Sequence, residues 1–265
     1  MTTRSVETVR SADGTTVAVE REGDGPALVV VAGAFCDRTA FAGMAGMLAG
    51  GRTVFRYDRR GRGGSGNTLP YSVDREIEDL DAVVAAAGGS AALCGHSSGA
   101  ALALEFAARS AAVTALVAYE PPYAADDTSA EDDRFRRELT EAVDTGRLGD
   151  AARLFLVQTG MPAEAVAGMA AAPWWPRMEA LAPTLPYEVA VVGGGVPVAR
   201  LATITAPTLV LAGGNSSTWF RDTARAVAAA VPGARDGELP DQDHNVDEKV
   251  LAAAVSDFVG GRIGG

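Results

Sequence analysis

The sequence predicts an α/β fold: a mostly parallel twisted sheet flanked by helices and interrupted once by a helical insertion. Three observations predict it. Short continuous apolar runs recur along the chain, helix-like stretches separate them, and one long segment, residues 121–200, carries helical patterns without a clear strand. Continuous apolar strands are buried on both faces, as in a parallel sheet covered by helices. Strand–helix alternation places them in a doubly wound arrangement.

Taken in order, residues 6–10 and 15–20 alternate and are rich in β-formers, and Asp13-Gly14 between them signals a hairpin. Apolar runs follow at 27–32, 53–57, 91–94, 113–119 and 207–211. Helical patterns fill 38–49, 72–87, 98–109 and 218–231. A short last strand and an amphipathic helix, 247–259, close the chain. Within 121–200, helical stretches occupy 131–144, 150–158 and 161–169. Pro173-Trp174-Trp175-Pro176 follows, and Gly193-Gly194-Gly195 marks a flexible turn before the sheet resumes. The expected organisation is a core of residues 1–120 and 201–265, with 121–200 as a helical cap over one end of the sheet. The charge run 131–137 reads as a solvated helix face.

Composition excludes several functions. The net charge is −11, from 34 acids against 23 bases, and Lys249 is the single lysine. Such a surface repels phosphate backbones and anionic lipid, so neither nucleic acid nor membrane is an expected partner. Two histidines and two cysteines supply no paired metal-ligand spacing, so neither metal nor cofactor is expected. Cys36 and Cys94 read as reduced thiols. No apolar leader stands in MTTRSVETVRSADG, and no apolar run is long enough to span a bilayer. A soluble cytoplasmic protein is expected, monomeric or homodimeric, with a small-molecule substrate.

The sharpest chemical signal is Gly95-His96-Ser97-Ser98-Gly99, a Gly-x-Ser-x-Gly motif with a buried strand before it and an alanine-rich helix after it. That context is what a nucleophile elbow requires. A serine hydroxyl needs an adjacent base to act at neutral pH, and the chain owns two candidates. His96 lies next to Ser97 and points elsewhere, which leaves His244, in a loop after the last strand. An oxyanion hole needs two convergent backbone N–H groups. Ser98, after the nucleophile, and Ala34, in the loop after the first long strand, are the candidates, with Phe35 as an apolar wall of the pocket. Gly61-x-Gly63-x-x-Gly66 matches a dinucleotide fingerprint. Asn67-Thr68-Leu69-Pro70 stands where that fingerprint needs a helix, so cofactor binding is not expected there.

Together, Val31-Ala32-Gly33-Ala34, the segment Tyr57-Asp58-Arg59-Arg60-Gly61-Arg62-Gly63-Gly64-Ser65, the elbow, residues 207–213 and the His244 loop resemble α/β-hydrolase-fold proteins. The resemblance is to the small capped serine-esterase, lactonase and haloperoxidase-like group, and it spans nearly the whole chain outside the cap. It is specific for the fold and much less so for the reaction. It implies hydrolysis of a small, fairly apolar ester, lactone or thioester through an acyl-enzyme on Ser97. The alternative is a non-hydrolytic cyclase, lyase or isomerase using the same pocket.

The chain departs from the family at the triad acid. The usual carboxylate position after the strand at 208–211 falls on Ser216. The resemblance offers a relocated acid, Glu120, at the end of the strand after the elbow helix, a position some members use. The alternative is that Glu120 is a structural or substrate-contacting carboxylate; Asp241 and Asp243 lie close to His244 in sequence, but a short loop rarely lets them face its Nδ1. Trp174 and Trp175 either line an apolar acyl or ring site or anchor the cap helices.

Overall fold

A computed structural model describes residues 4–123 and 130–261. Residues 1–3 of the N-terminal stretch, 124–129 of the predicted cap and 262–265 lie outside the described residues. Eight strands form one sheet: β1 (Arg4–Arg10), β2 (Thr16–Gly23), β3 (Ala27–Val31), β4 (Thr53–Tyr57), β5 (Ala91–His96), β6 (Val113–Tyr119), β7 (Thr208–Gly213) and β8 (Arg235–Leu239). Their order is β1-β2-β4-β3-β5-β6-β7-β8. β2 runs antiparallel to β1 and β4, and every other pair is parallel.

The hairpin forms where Asp13-Gly14 predicts it. The Thr15 N–H donates to the Asp13 carboxylate at 2.9 Å, an Asx turn, and Gly14 takes the positive φ of 84°. The central strands carry apolar side chains to both faces. In β3, Val29 and Val31 enter one core with β2, while Leu28 and Val30 enter the other. The first core is covered by α2 (Val73–Ala86), α3 (Ser98–Ala107) and α10 (Thr218–Ala230). The second is covered by α1 (Ala42–Leu48) and α11 (Glu248–Val259). Ser72 and Asp247 cap α2 and α11 by accepting backbone N–H groups of the first turn. Cys36 and Cys94 are both free thiols.

Between β6 and β7 the described residues contain no strand. They form α4 (Ala130–Asp144), α5 (Leu148–Gln158), α6 (Ala163–Met169), α7 (Trp175–Leu181), a 3-10 turn (Ala182–Thr184), α8 (Leu185–Val192) and α9 (Val198–Leu201). These helices bury an apolar cluster of their own around Leu139, Leu156, Val166, Trp175 and Leu185. Among the described residues, no helix is long and apolar enough to cross a membrane.

Two local features differ from expectation. α1 begins at Ala42, not near residue 38, because residues 37–41 are used in a turn. The Asp37 carboxylate accepts the Thr39 N–H at 2.8 Å, the Arg38 N–H donates to Asp58 at 2.6 Å, and Phe41 has a φ of 58°. α8 follows without a sequence signal. Val189, Val191 and Val192 are weak helix formers, and packing against α3 overrides that preference.

Candidate active site

Ser97 sits between β5 and α3 with φ 56° and ψ −131°, outside the regions a non-glycine residue prefers. Its N–H donates to the Tyr119 carbonyl at 2.9 Å, and its carbonyl accepts from the Ala100 N–H at 2.8 Å. The glycines around it are dictated by contact. A Cβ on Gly99 would lie 2.2 Å from the Val31 oxygen, and one on Gly95 2.5 Å from the Ala100 Cα. One on Gly33 would lie 2.8 Å from the Ser97 Cβ, so the loop after β3 passes directly beside the serine.

The loop after β8 brings His244 to this turn. Its Nε2 lies 3.2 Å from Ser97 Oγ, and its Nδ1 lies 2.7 Å from Glu120 Oε2. Glu120 is fully buried at the end of β6, with a φ of 48°. Its N–H donates to the Leu211 carbonyl at 2.9 Å, and its second oxygen accepts the Gly213 N–H at 2.8 Å. Burial works to raise the Glu120 pKa. Hydrogen bonds from His244 and the Gly213 N–H, with the Ser216 hydroxyl close by, outweigh it, so the carboxyl is held below its usual range. Ser216 faces the same carboxylate, without a hydrogen bond of regular geometry.

Asp241 and Asp243 are not brought to the imidazole. Both are exposed; the Asp243 carboxylate accepts the Asn245 N–H at 2.8 Å, and its carbonyl accepts the Tyr119 hydroxyl at 2.6 Å. His96 supports the backbone of His244 instead of competing with its ring. Its Nε2 donates to the His244 carbonyl at 2.8 Å, since a carbonyl can only accept. Burial, and then the neighbouring His244, push the His96 pKa down to about 4, so the ring is neutral.

Two backbone N–H groups are the candidate oxyanion donors. Ser98 is the first residue of α3, so the helix leaves its N–H unpaired. The Ala34 N–H meets no acceptor among the described residues. Phe35, at φ 56°, packs edge-on against Phe155 of α5 with ring centroids 5.7 Å apart. Trp175 is 3% exposed inside the insertion's own cluster and donates its indole N–H to Glu179 at 2.8 Å. Trp174 is 47% exposed, with its ring against Trp175. Trp175 thus packs among the insertion helices, and Trp174 stands at their surface.

Sequence reasoning missed two groups. Phe220 stacks on the His244 ring, with centroids 4.6 Å apart and planes 18° apart, and Trp219 packs on Phe220. Both stand in the first turn of α10, which four residues separate from the end of β7, whose Gly213 N–H bonds Glu120; an aromatic pair at that point was the available signal. The second group is a set of buried charges. Arg59, Arg62, Glu76 and Glu188 are each no more than 2% exposed and touch one another directly behind the Ala34 loop. The Gly61–Gly66 stretch closes on itself through a Gly61 N–H to Gly66 carbonyl bond of 2.9 Å, and no helix follows before α2. Among the described residues, no group of three or more His, Cys, Asp or Glu side chains could hold a metal ion.

The sequence profile of the alpha/beta hydrolase family matches residues 28–253. Among solved structures, an alpha/beta hydrolase from Sphaerobacter thermophilus is 46% identical over 96% of this chain and 100% of its own, with a TM-score of 0.89. A thermophilic esterase from Thermogutta terrifontis is 21% identical over 98% of both chains, with a TM-score of 0.76. The enol-lactonase from Burkholderia xenovorans is 22% identical over 96% of this chain and 100% of its own, with a TM-score of 0.72. These last two share the fold. No curated protein matches the sequence.

Proposed function

The chain belongs to the alpha/beta hydrolase family, and from that premise we propose that it is a serine hydrolase cleaving a small, fairly apolar ester, lactone or thioester through an acyl-enzyme on Ser97. One observation carries the reading: the unbroken chain from Ser97 Oγ through His244 to the buried Glu120. In this reading His244 Nε2 takes the Ser97 proton as Oγ attacks the carbonyl carbon. Glu120 holds the proton on Nδ1, keeps Nε2 free to accept, and stabilises the imidazolium that forms. The N–H groups of Ala34 and Ser98 bind the oxyanion, a contribution of about 10²–10³ in kcat per donor. His244 then returns the proton to the leaving group, and water releases the acyl group by the same steps.

The apolar preference follows from the surroundings. Phe35, Phe155 and Phe220 offer hydrocarbon faces, and the net charge of −11 disfavours anionic substrates. The hydrogen bond from His244 to Glu120 supports this reading over the non-hydrolytic alternative, because it supplies the acid that the serine at 216 leaves wanting.

A fluorophosphonate probe and a series of p-nitrophenyl esters of increasing acyl length test the proposal. Expected are stoichiometric labelling of Ser97, located by peptide mass spectrometry, and a burst of p-nitrophenol. Folded protein that takes no label and turns over no ester would sink it.

A further inference from the structure

Both halves of the candidate oxyanion hole are tied to one carboxylate. Glu188, on α8 of the helical insertion, accepts a hydrogen bond from the Ser98 hydroxyl. The same oxygen pairs with Arg59 at 2.9 Å, and the other oxygen pairs with Arg62. Arg62 in turn donates to the Gly33 carbonyl at 2.7 Å and the Cys36 carbonyl at 3.2 Å, and Arg59 donates to the Ala32 carbonyl at 3.3 Å. The Gly33 carbonyl and the Ala34 N–H belong to one planar trans peptide. A guanidinium fixed on that carbonyl therefore fixes the direction of the N–H and polarises it as a donor.

Charge makes the arrangement specific. Two guanidiniums, Arg59 and Arg62, face two carboxylates, Glu188 and Glu76, and Glu76 holds Arg59 through bonds of 2.7 and 2.6 Å. Burial and the adjacent Arg59 cation push the Arg62 pKa down, so its charge depends on the carboxylates beside it. A buried ion pair is a weak stability device, because desolvation offsets most of the attraction. What this one adds is placement: it pins three carbonyls of the 32–36 loop and the side chain after the nucleophile.

We propose that Glu188 is the positioning residue of the oxyanion hole, binding the Ser98 side directly and the Ala34 side through Arg59 and Arg62. The assignment rests on the serine-hydrolase reading of Ser97. It makes the seating of an insertion helix a condition for the hole to form. Glu188 touches no reacting atom and acts through the backbone it holds.

The test is Glu188→Gln, with rates counted per Ser97 titrated by fluorophosphonate. Expected is a fall in kcat of about tenfold to a hundredfold, with KM changed less than about twofold. The Ki of a trifluoromethyl ketone, which forms an oxyanion in the hole, should rise by the same factor as kcat/KM falls. A purely structural role would lower the number of titratable sites and leave kcat per site and Ki unmoved; that result overturns the proposal. Should Glu188→Gln fail to fold, Ser98→Ala carries the test. It keeps the backbone N–H and the ion pairs and removes only the hydroxyl that bonds Glu188 and accepts from Arg59 at 3.4 Å, so a parallel loss in kcat and inhibitor affinity of about fivefold is expected. Unchanged values in that variant overturn the proposal too. Wild-type protein that labels at Ser97 while both variants match it sinks Glu188 alone. Wild-type protein that never labels sinks the hydrolase reading, and the proposal with it.

Discussion

Ser97 stands between two polar networks of opposite character. On one side, His244 and Glu120 form a two-residue chain fed by the ends of β6 and β8, with the imidazole partly open to solvent. On the other, Arg59, Arg62, Glu76 and Glu188 form a sealed four-charge cluster drawn from the loop after β4, from α2 and from α8. In the proposed mechanism the first network moves a proton, so one of its members changes charge during a turnover. The second is built to hold backbone still, and each of its charges is matched. Catalysis by preorganised dipoles needs both properties, in different places.

Substitutions break this comparison in a graded way. Ser97→Ala and His244→Ala should each lower kcat by roughly 10⁶-fold, as removal of a nucleophile or its base does elsewhere; steady-state ester hydrolysis checks it. Glu120→Gln should cost about 10³–10⁴ in kcat with little change in KM, because the amide favours the wrong imidazole tautomer. Adding Ser216→Asp to Glu120→Gln puts a carboxylate back beside the same space and should recover at least about tenfold of that loss. No recovery would mean that the two strand ends do not share one acid site. Glu188→Gln on the opposite side should cost less than Glu120→Gln, and an equal or larger loss would erase the distinction between proton transfer and placement. Phe220→Ala, which removes only a ring stacked on His244, should change kcat/KM by a few-fold.

The smallest effect concerns pH and stability. His96 has a folded pKa of about 4, below the value of 6.5 it has in an unfolded chain. The unfolded state therefore takes up a proton first as pH falls, and stability present above pH 6.5 is lost progressively between 6.5 and 4. Glu120 and Glu76, both held below their usual range, add losses of the same sign in the more acidic part of that span and beyond. Urea midpoints across this range should fall for the wild type and fall less steeply above pH 4.5 for His96→Asn. A slope unchanged in that variant would remove His96 from the account.

The two networks also differ in how far the sequence discloses them. The proton-moving side is local in pattern. A Gly-x-Ser-x-Gly motif marks Ser97, two histidines leave one base, and the family resemblance, with a serine at 216 where the usual acid falls, offers Glu120 at the end of an apolar run. The holding side is not. Glu188 is 90 residues from Ser98 and lies in a stretch whose β-branched residues hide its helix. Glu76 reads as one more charge on an acidic amphipathic helix, and the direction of Arg59 and Arg62 is set by the loop conformation, not by their order in the chain. Phe220 and Trp219 were overlooked for a related reason: a helix pattern reports its buried face, while the residues of its first turn are placed by the strand before it. Sheet strands were legible because burial on both faces writes itself as an unbroken apolar run.

Activation of Ser97 by the His244–Glu120 chain is the central proposal. The measurement is the second-order rate of fluorophosphonate labelling at Ser97 in the wild type and in Glu120→Gln, each confirmed folded by its thermal melt. Expected are stoichiometric labelling of Ser97 in the wild type and a rate at least about a hundredfold lower in Glu120→Gln. Equal rates in the two proteins, or labelling at a residue other than Ser97, would contradict it.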